Sequence, residues 1–388
     1  MALFFQGPDS HTGEDIAELH GHGGPVVMNL LLQRVLSLGA RYARPGEFSE
    51  RAFLNNKIDL LQAEAVADLI SSASEQAAMS AVRSMEGLFS SLVKELVKNV
   101  IELRVFVEAT LDFPEEEVAS LVEPELQDRL TLCLRSLADI SARAQTGRLL
   151  AEGLKIAIIG KPNAGKSSLL NRLAEIERAI VSPLPGTTRD TIEQQILING
   201  MPVSVIDTAG IRKAGNLIEQ EGIRRARSAA ENADIVILIA DVNKDDIQDL
   251  KTIAAEFSPG KNVLYVFNKI DLSGHAPGKS ELAGDAREIY ISALTGAGVD
   301  ALKQEIKHSV MASDYSENVF IAHTRHINVL REATAMLEQA AKKFQRHHAV
   351  ELFADDLSRL QQTLSVITGE YAADDLLGEI FSRFCIGK

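Results

Sequence analysis

Leu154-Lys155-Ile156-Ala157-Ile158-Ile159-Gly160-Lys161-Pro162-Asn163-Ala164-Gly165-Lys166-Ser167 decides the fold of this 388-residue chain. Its first six residues are a short, nearly continuous apolar run, which reads as a strand buried on both faces of a parallel sheet. The remaining eight match Gly-x-x-x-x-Gly-Lys-Ser and stand where a phosphate-binding loop must, between a strand and a helix. Glycines let backbone N–H groups wrap phosphates, and the helix N-terminus adds positive potential. Lys166 reaches the outer phosphates and the Ser167 hydroxyl can ligate magnesium, with Asn163, Ala164, Gly165 and Ser168 in the same turn. Further apolar runs at residues 203–206, 235–240, 263–267 and 289–291 alternate with helix-length segments, the pattern of a doubly wound α/β sheet.

Ligands in open α/β sheets bind beyond the carboxyl ends of the strands, and more short motifs stand there. Asp207-Thr208-Ala209-Gly210 follows the second run, where an aspartate can hold magnesium and a glycine N–H can sense a terminal phosphate. Asn268-Lys269-Ile270-Asp271 follows the fourth. The Asp271 carboxylate can accept from the ring N–H and the amino group of guanine, whereas adenine offers an acceptor there and no amino group, so GTP is favoured over ATP. Ser292-Ala293-Leu294 is placed to offer a backbone N–H to the guanine oxygen. Between the first run and Asp207, Pro185-Gly186-Thr187-Thr188-Arg189-Asp190 is suited to close on magnesium and the terminal phosphate. Ile211 holds the position where Ras-like enzymes carry the glutamine that orients the attacking water, so another polar group must serve. Glu219 is the nearest glutamate downstream, although the residues alone favour an exposed acid at a helix start.

Amphipathic segments flank this region. Ile58, Leu61, Ala65 and Leu69, then Leu88, Leu92, Leu96, Val100, Leu103 and Val107, recur three or four apart up to Pro114. Leu126, Leu130, Leu134 and Leu137 continue the period through residues 123–150, and after residue 311 it returns with Leu330, Met336, Leu337, Leu352, Leu357, Leu360, Leu364 and Ile367. Residues 1–55, punctuated by glycine and proline, predict small β-α pieces: a strand at 2–5 and a helix over 26–38 that stops at Gly39. The expected fold is an α/β P-loop G domain inserted into an all-α helical domain and preceded by a partial N-terminal α/β domain. Boundaries are expected at 1–56, 57–152, 153–312 and 313–388.

Lys and Arg number 40 against 54 Asp and Glu, a net charge of −14, which argues against indiscriminate attraction to nucleic acid. Local basic faces remain available at Arg224, Arg225 and Arg227 or at Lys342, Lys343 and Arg346, though each reads more readily as a solvated helix face. The 2 cysteines, Cys133 and Cys385, cannot build a disulfide framework and suit a reducing, cytoplasmic setting. No stretch approaches the roughly 18 apolar residues of a membrane span, so no membrane contact is expected. His20 and His22 lack a third metal ligand at a recognisable spacing.

The loop Gly186-Thr187-Thr188-Arg189-Asp190, the Asp207-Thr208-Ala209-Gly210-Ile211 and Asn268-Lys269-Ile270-Asp271 motifs and the flanking helices resemble the bacterial MnmE (TrmE) family of tRNA-modification GTPases. Arg44-Pro45-Gly46-Glu47-Phe48-Ser49-Glu50-Arg51-Ala52-Phe53-Leu54-Asn55 and the terminal Phe384-Cys385-Ile386-Gly387-Lys388 extend the resemblance essentially from end to end. The family's N-terminal folate-binding, dimer-forming domain is substantially longer, so the chain is expected to begin within it. The resemblance implies GTP hydrolysis that works with a flavin-dependent partner, MnmG, to place an aminomethyl or carboxymethylaminomethyl group on C5 of the wobble uridine of tRNA, with tetrahydrofolate supplying the one-carbon unit. It further implies potassium held by Asn163 and by backbone carbonyls of Ser182, Leu184 and Thr187, magnesium held by Ser167 and Thr188, and transient self-association through G domains. Glu219 would orient the attacking water through a bridging water, and Cys385 and Lys388 would lie near the folate and uridine chemistry. The alternative is a GTP-dependent ribosome-assembly switch, but its KH-type domain would need a Gly-x-x-Gly loop, and the tail reads as helices.

Overall fold

The computed structural model describes residues 1–111, 116–176, 193–198, 201–207, 217–257, 261–280, 288–310, 319–370, 377–378 and 380–381. Its contacts divide the chain into two compact units, one of residues 1–71, 79–145 and 320–388 and one of residues 72–78 and 146–319. The chain starts with β1 (Ala2–Phe5) antiparallel to β2 (Ile16–Leu19), followed by α1 (Pro25–Ser37) with its proline in the first turn, where the missing N–H has no helical partner to lose. β2 escapes a sequence reading because Ile-Ala-Glu-Leu is too short for alternation to register. Helix α2 (Glu47–Leu54) turns in at Gly46, whose φ of 68° favours glycine. Glu47 is buried and receives Arg41, Arg51 and the backbone N–H of Arg44 at 2.5–2.8 Å. Arg41 foremost, then these other donors, hold its carboxyl well below the usual range. Arg44 and Arg51 of the Arg44 to Asn55 stretch thus converge with Arg41 on one carboxylate.

Four helices follow: α3 (Leu60–Ser71), α4 (Glu75–Met85), α5 (Leu88–Leu111) and α6 (Glu116–Glu152). The last begins ahead of the expected residue 123 and runs through Pro124. The leucine period that marks this helix in the sequence starts only at Leu126, so it does not reach the first helical residues.

The second unit is built on one seven-stranded sheet. Its strands are β3 (Leu154–Ile159), β4 (Glu193–Ile198), β5 (Met201–Asp207), β6 (Ile235–Asp241), β7 (Asn262–Asn268), β8 (Gly278–Lys279) and β9 (Glu288–Tyr290), in the order β4-β5-β3-β6-β7-β9-β8. The five anticipated runs form the parallel centre, while β4 and β8 add antiparallel edges that the sequence reading lacks. Every residue of β6 is buried, and its side chains alternate between two apolar layers. Ile235, Ile237 and Ile239 join Leu169 and Leu173 of α7 (Lys166–Ile176) on one face; Val236, Leu238 and Ala240 join Ala229 and Ala230 of α8 (Leu217–Asn232) and Leu250 of α9 (Ile247–Phe257) on the other. Each wholly buried Ile or Leu contributes roughly 1.5–3 kcal/mol. Helix α10 (Val299–Val310) adds Leu302 and Ile306 to the first layer.

The chain then returns to the first unit with α11 (Thr324–His347) and α12 (Val350–Ser365). Leu96, Val100, Leu103 and Val107 of α5, Leu126, Leu130, Leu137 and Ile140 of α6, Leu330 and Leu337 of α11, and Leu357, Leu360 and Leu364 of α12 share one core. Leu352 does not: it is 67% exposed, being out of phase with the buried face of its helix. Phe89 stacks on Phe320 at 4.1 Å between centroids, and Arg104 of α5 donates to Gln361 of α12 at 3.0 Å, so residues before and after the inserted unit close a single bundle. Glu64 of α3 receives both Arg325 Nε and Nη2, at 2.8 and 2.6 Å, and lies 3.1 Å from His326 Nε2. Burial opposes charge on Glu64, yet the paired Arg325 keeps it ionised; burial pushes His326 down to about 4, so it is neutral near pH 7. Among the described residues no helix is long and apolar enough to cross a membrane.

Candidate functional site

Parallel pairing aligns the carboxyl ends of β3, β5, β6, β7 and β9 along one edge of the sheet, and the motif residues leave from those ends. After β3 the loop turns at once. A Cβ on Gly160 would sit 2.1 Å from the Ile239 carbonyl oxygen, so only glycine lets the loop leave the sheet here. Asn163 (φ 64°) and Gly165 (φ 101°) are both left-handed, which curls the backbone before Lys166 opens α7. The Lys166 ammonium folds back over the loop, donating to the carbonyls of Gly160 at 2.8 Å and Lys161 at 3.1 Å. Ser167 and Ser168 are exposed in the first helical turn, among N–H groups that lack helical acceptors. Asn163 is exposed, and its amide has no partner among the described residues. A curled loop with a lysine at its rim and a helix N-terminus beneath it is suited to a polyphosphate.

Asn268, at the end of β7, is 2% exposed and bonded at both ends of its amide. Its Nδ2 donates to the Ala164 carbonyl and its Oδ1 accepts from the Ala293 N–H, both at 2.9 Å. One neutral side chain therefore ties the phosphate loop to the loop after β9. The approach is so close that a Cβ on Gly165 would meet Asn268 Nδ2 at 2.1 Å. Lys269 takes φ 71° and turns the chain into a short helix containing Asp271. Asp271 is exposed, and its Oδ1 accepts from the hydroxyl of wholly buried Ser292 at 2.5 Å. A carboxylate fixed in this way presents acceptors to whatever occupies the space beside Asn268. Lys269 Nζ donates to Asp241 Oδ2 at 2.8 Å, and that hydrogen bond holds the Asp241 carboxyl below its ordinary range.

Thus the structure brings together Asn163, Ala164, Gly165, Lys166, Ser167, Ser168, Asn268, Lys269, Asp271, Ser292 and Ala293. Asp207 ends β5 and Glu219 stands in the first turn of α8, but neither side chain is described. Ser182, Leu184, Thr187, Thr188, Thr208, Ala209, Gly210, Cys385 and Lys388 lie outside the described residues. Two residues escaped the sequence reading. Asp241 partners Lys269, and Arg172 of α7 donates to the carbonyls of Ala293, at 3.1 Å, and Leu294. Asp241 could have been noticed as an acid closing the apolar run Ile-Val-Ile-Leu-Ile-Ala-Asp; Arg172 gives no such signal.

A family model described as the MnmE helical domain matches residues 60–385, and one described as the GTP-binding protein TrmE N-terminus matches residues 1–57. The tRNA modification GTPase MnmE of Coxiella burnetii is 50% identical over 391 aligned residues, which cover 100% of this chain and 86% of that relative. That of Hydrogenovibrio crunogenus is 48% identical over 388 residues, again 100% of this chain and 86% of the relative. Among solved structures, Era of Aquifex aeolicus bound to GDP and aluminium fluoride matches 47% of this chain and 65% of its own at 25% identity, with a TM-score of 0.30. With full-length matches at half identity and family models spanning nearly every residue, the chain belongs to the MnmE family of tRNA modification GTPases.

Proposed function

We propose that this chain is a potassium-dependent GTP hydrolase that acts in tRNA modification, working with the flavin-dependent partner MnmG to place an aminomethyl or carboxymethylaminomethyl group on C5 of the wobble uridine. The observation that carries the nucleotide reading is Asn268, which holds the Ala164 carbonyl and the Ala293 N–H on either side of itself and next to Asp271. Lys166 and the loop N–H groups hold the phosphates. Asp271 accepts from the ring N–H and amino group of guanine; an adenine covering the same carboxylate would leave it unpaired. Ser167 and Thr188 hold magnesium, with Asp207 and the Thr208 to Gly210 turn beside the terminal phosphate.

The Asn163 amide, without a partner among the described residues, offers an oxygen of the kind alkali cations accept, and with the carbonyls of Ser182, Leu184 and Thr187 it would bind potassium. That cation supplies positive charge where other GTPases use an arginine. Glu219 orients the attacking water, the task that Ile211 cannot perform. Residues 153–312 form the G domain and pair transiently with those of a second copy. Residues 57–152 and 313–388 form the helical domain, whose terminal Cys385 and Lys388 stand near the uridine chemistry. Residues 1–56 correspond to part of the family's folate-binding, dimer-forming domain, and the protein works in the cytoplasm. GTP turnover measured in potassium and in sodium chloride tests this: potassium should stimulate and sodium should not. Asn163→Ala should erase the difference while nucleotide binding persists. Equal rates in the two salts would overturn the potassium assignment.

A further inference from the structure

We propose that Arg172 is a positioning residue for guanine recognition, acting through the backbone of residues 293–294; this rests on the guanine-nucleotide reading above. The loop after β9 has few ways to stay in place. Ser292 N–H donates to the Ala297 carbonyl at 2.8 Å, Gly296 N–H to the Ser292 carbonyl at 2.8 Å, and Thr295 N–H to the Ser292 hydroxyl at 3.2 Å. Of the backbone N–H groups in Ser292-Ala293-Leu294, that of Ala293 is already given to Asn268 Oδ1. Among the described residues the Leu294 N–H has no acceptor, and the Leu294 side chain is 74% exposed. Between Ser292 and Ala297, Leu294 is therefore the residue with a donor to spare for the guanine O6.

What keeps the peptide units on both sides of that donor from turning is Arg172. Its Nε donates to the Ala293 carbonyl at 3.1 Å and its Nη2 to the Leu294 carbonyl, so one planar guanidinium grips two successive carbonyls. The fork geometry fixes orientation as well as distance, which a single point charge would not do. Arg172 sits on α7, the helix that begins with Lys166 of the phosphate loop. The element that carries the phosphates therefore also sets the base loop, through carbonyls of that loop where Asn268 holds an N–H. With the grip gone, the peptide between Ala293 and Leu294 is free to rotate, and the Leu294 N–H is presented to the base in only a fraction of the population.

The test compares Arg172→Ala, Arg172→Lys and the unaltered chain by calorimetric titration with GDP, IDP and ADP, with thermal unfolding recorded for each. GDP and IDP share O6, so both should weaken by about tenfold in Arg172→Ala, the loss of roughly one hydrogen bond to the base. ADP lacks O6, so its weak affinity should stay unchanged. Arg172→Lys, which can reach one carbonyl, should recover part of the loss. Parallel weakening of all three nucleotides would mean that Arg172 merely supports the phosphate helix, and unaltered GDP affinity would mean that the grip does nothing; either overturns the proposal. A chain that fails to prefer GDP before any substitution would instead overturn the guanine reading itself.

Discussion

Asn268 in the sheet unit and Glu64 in the helical unit are both buried polar side chains that join distant stretches of chain, and they do so with different chemistry. Asn268 is neutral and spends both ends of its amide on backbone groups. Glu64 is charged and is met by side chains, Arg325 and His326, from 261 residues or more away in sequence. A neutral staple costs little to bury and does not respond to pH, so it can stand beside a site whose own charges, Lys166 and Asp271, must stay available to a ligand. A buried ion cluster is expensive to desolvate and repays that cost only while every member is in place. Among the described residues, the helical unit therefore carries a cluster that acid or the loss of a single side chain can break.

Removing one member of the cluster should have the largest effect. Glu64→Ala leaves the partly buried Arg325 and the buried His326 without their carboxylate and is expected to destabilise the helical unit by about 3 kcal/mol, read as the denaturant midpoint of far-ultraviolet circular dichroism. The pH response comes next. His326 has a folded value of about 4 against an ordinary 6.5, so above pH 6.5 its contribution is intact. As the pH falls from 6.5 towards 4 the unfolded chain takes up a proton that the folded one refuses, and stability should drop by at most roughly 3 kcal/mol. Glu64, Arg325 and His323 all face this ring, and of them Arg325 opposes its protonation most. His326→Gln, which keeps an acceptor for the His323 N–H, should flatten that slope in unfolding experiments at pH 7.5 and 5.

At the nucleotide site the expected change is smaller. Asp271→Asn turns half of an acceptor pair into a donor and should lower GTP affinity at least about tenfold by calorimetry, with little change in unfolding. The smallest effect belongs to Lys161, half exposed itself, and its pairs with Asp245 and the exposed Asp249, at 2.6 and 3.3 Å. Lys161→Ala should shift stability by less than about 1 kcal/mol, since solvent screens such pairs. If it matched Glu64→Ala, the contrast between buried and exposed charge would fail.

The phosphate loop was legible in the sequence because its chemistry is local: two glycines, a left-handed turn and a lysine within eight residues compel one backbone path. The parallel strands were legible for a similar reason, since burial on both faces leaves an apolar run and little else. β4 was not, because Glu-Gln-Gln-Ile-Leu-Ile is an edge with half its residues polar. Arg172 and Ala293 lie 121 residues apart, and nothing in the chain around either announces the other. The helical period located the bundle but not the pairings inside it, such as Arg104 with Gln361 or Glu64 with Arg325, because periodicity tells which face is buried and not against what. Leu352 shows the same limit within one helix, where a leucine near the period lies outside the buried face.

The affinity ratio of the full chain for GDP over ADP, measured by calorimetric titration in magnesium and potassium, tests the account most directly. A site that pairs the guanine edge with Asp271 should bind GDP at least about 100-fold more tightly, because adenine leaves the carboxylate without its donors. Equal affinities for the two nucleotides would contradict it.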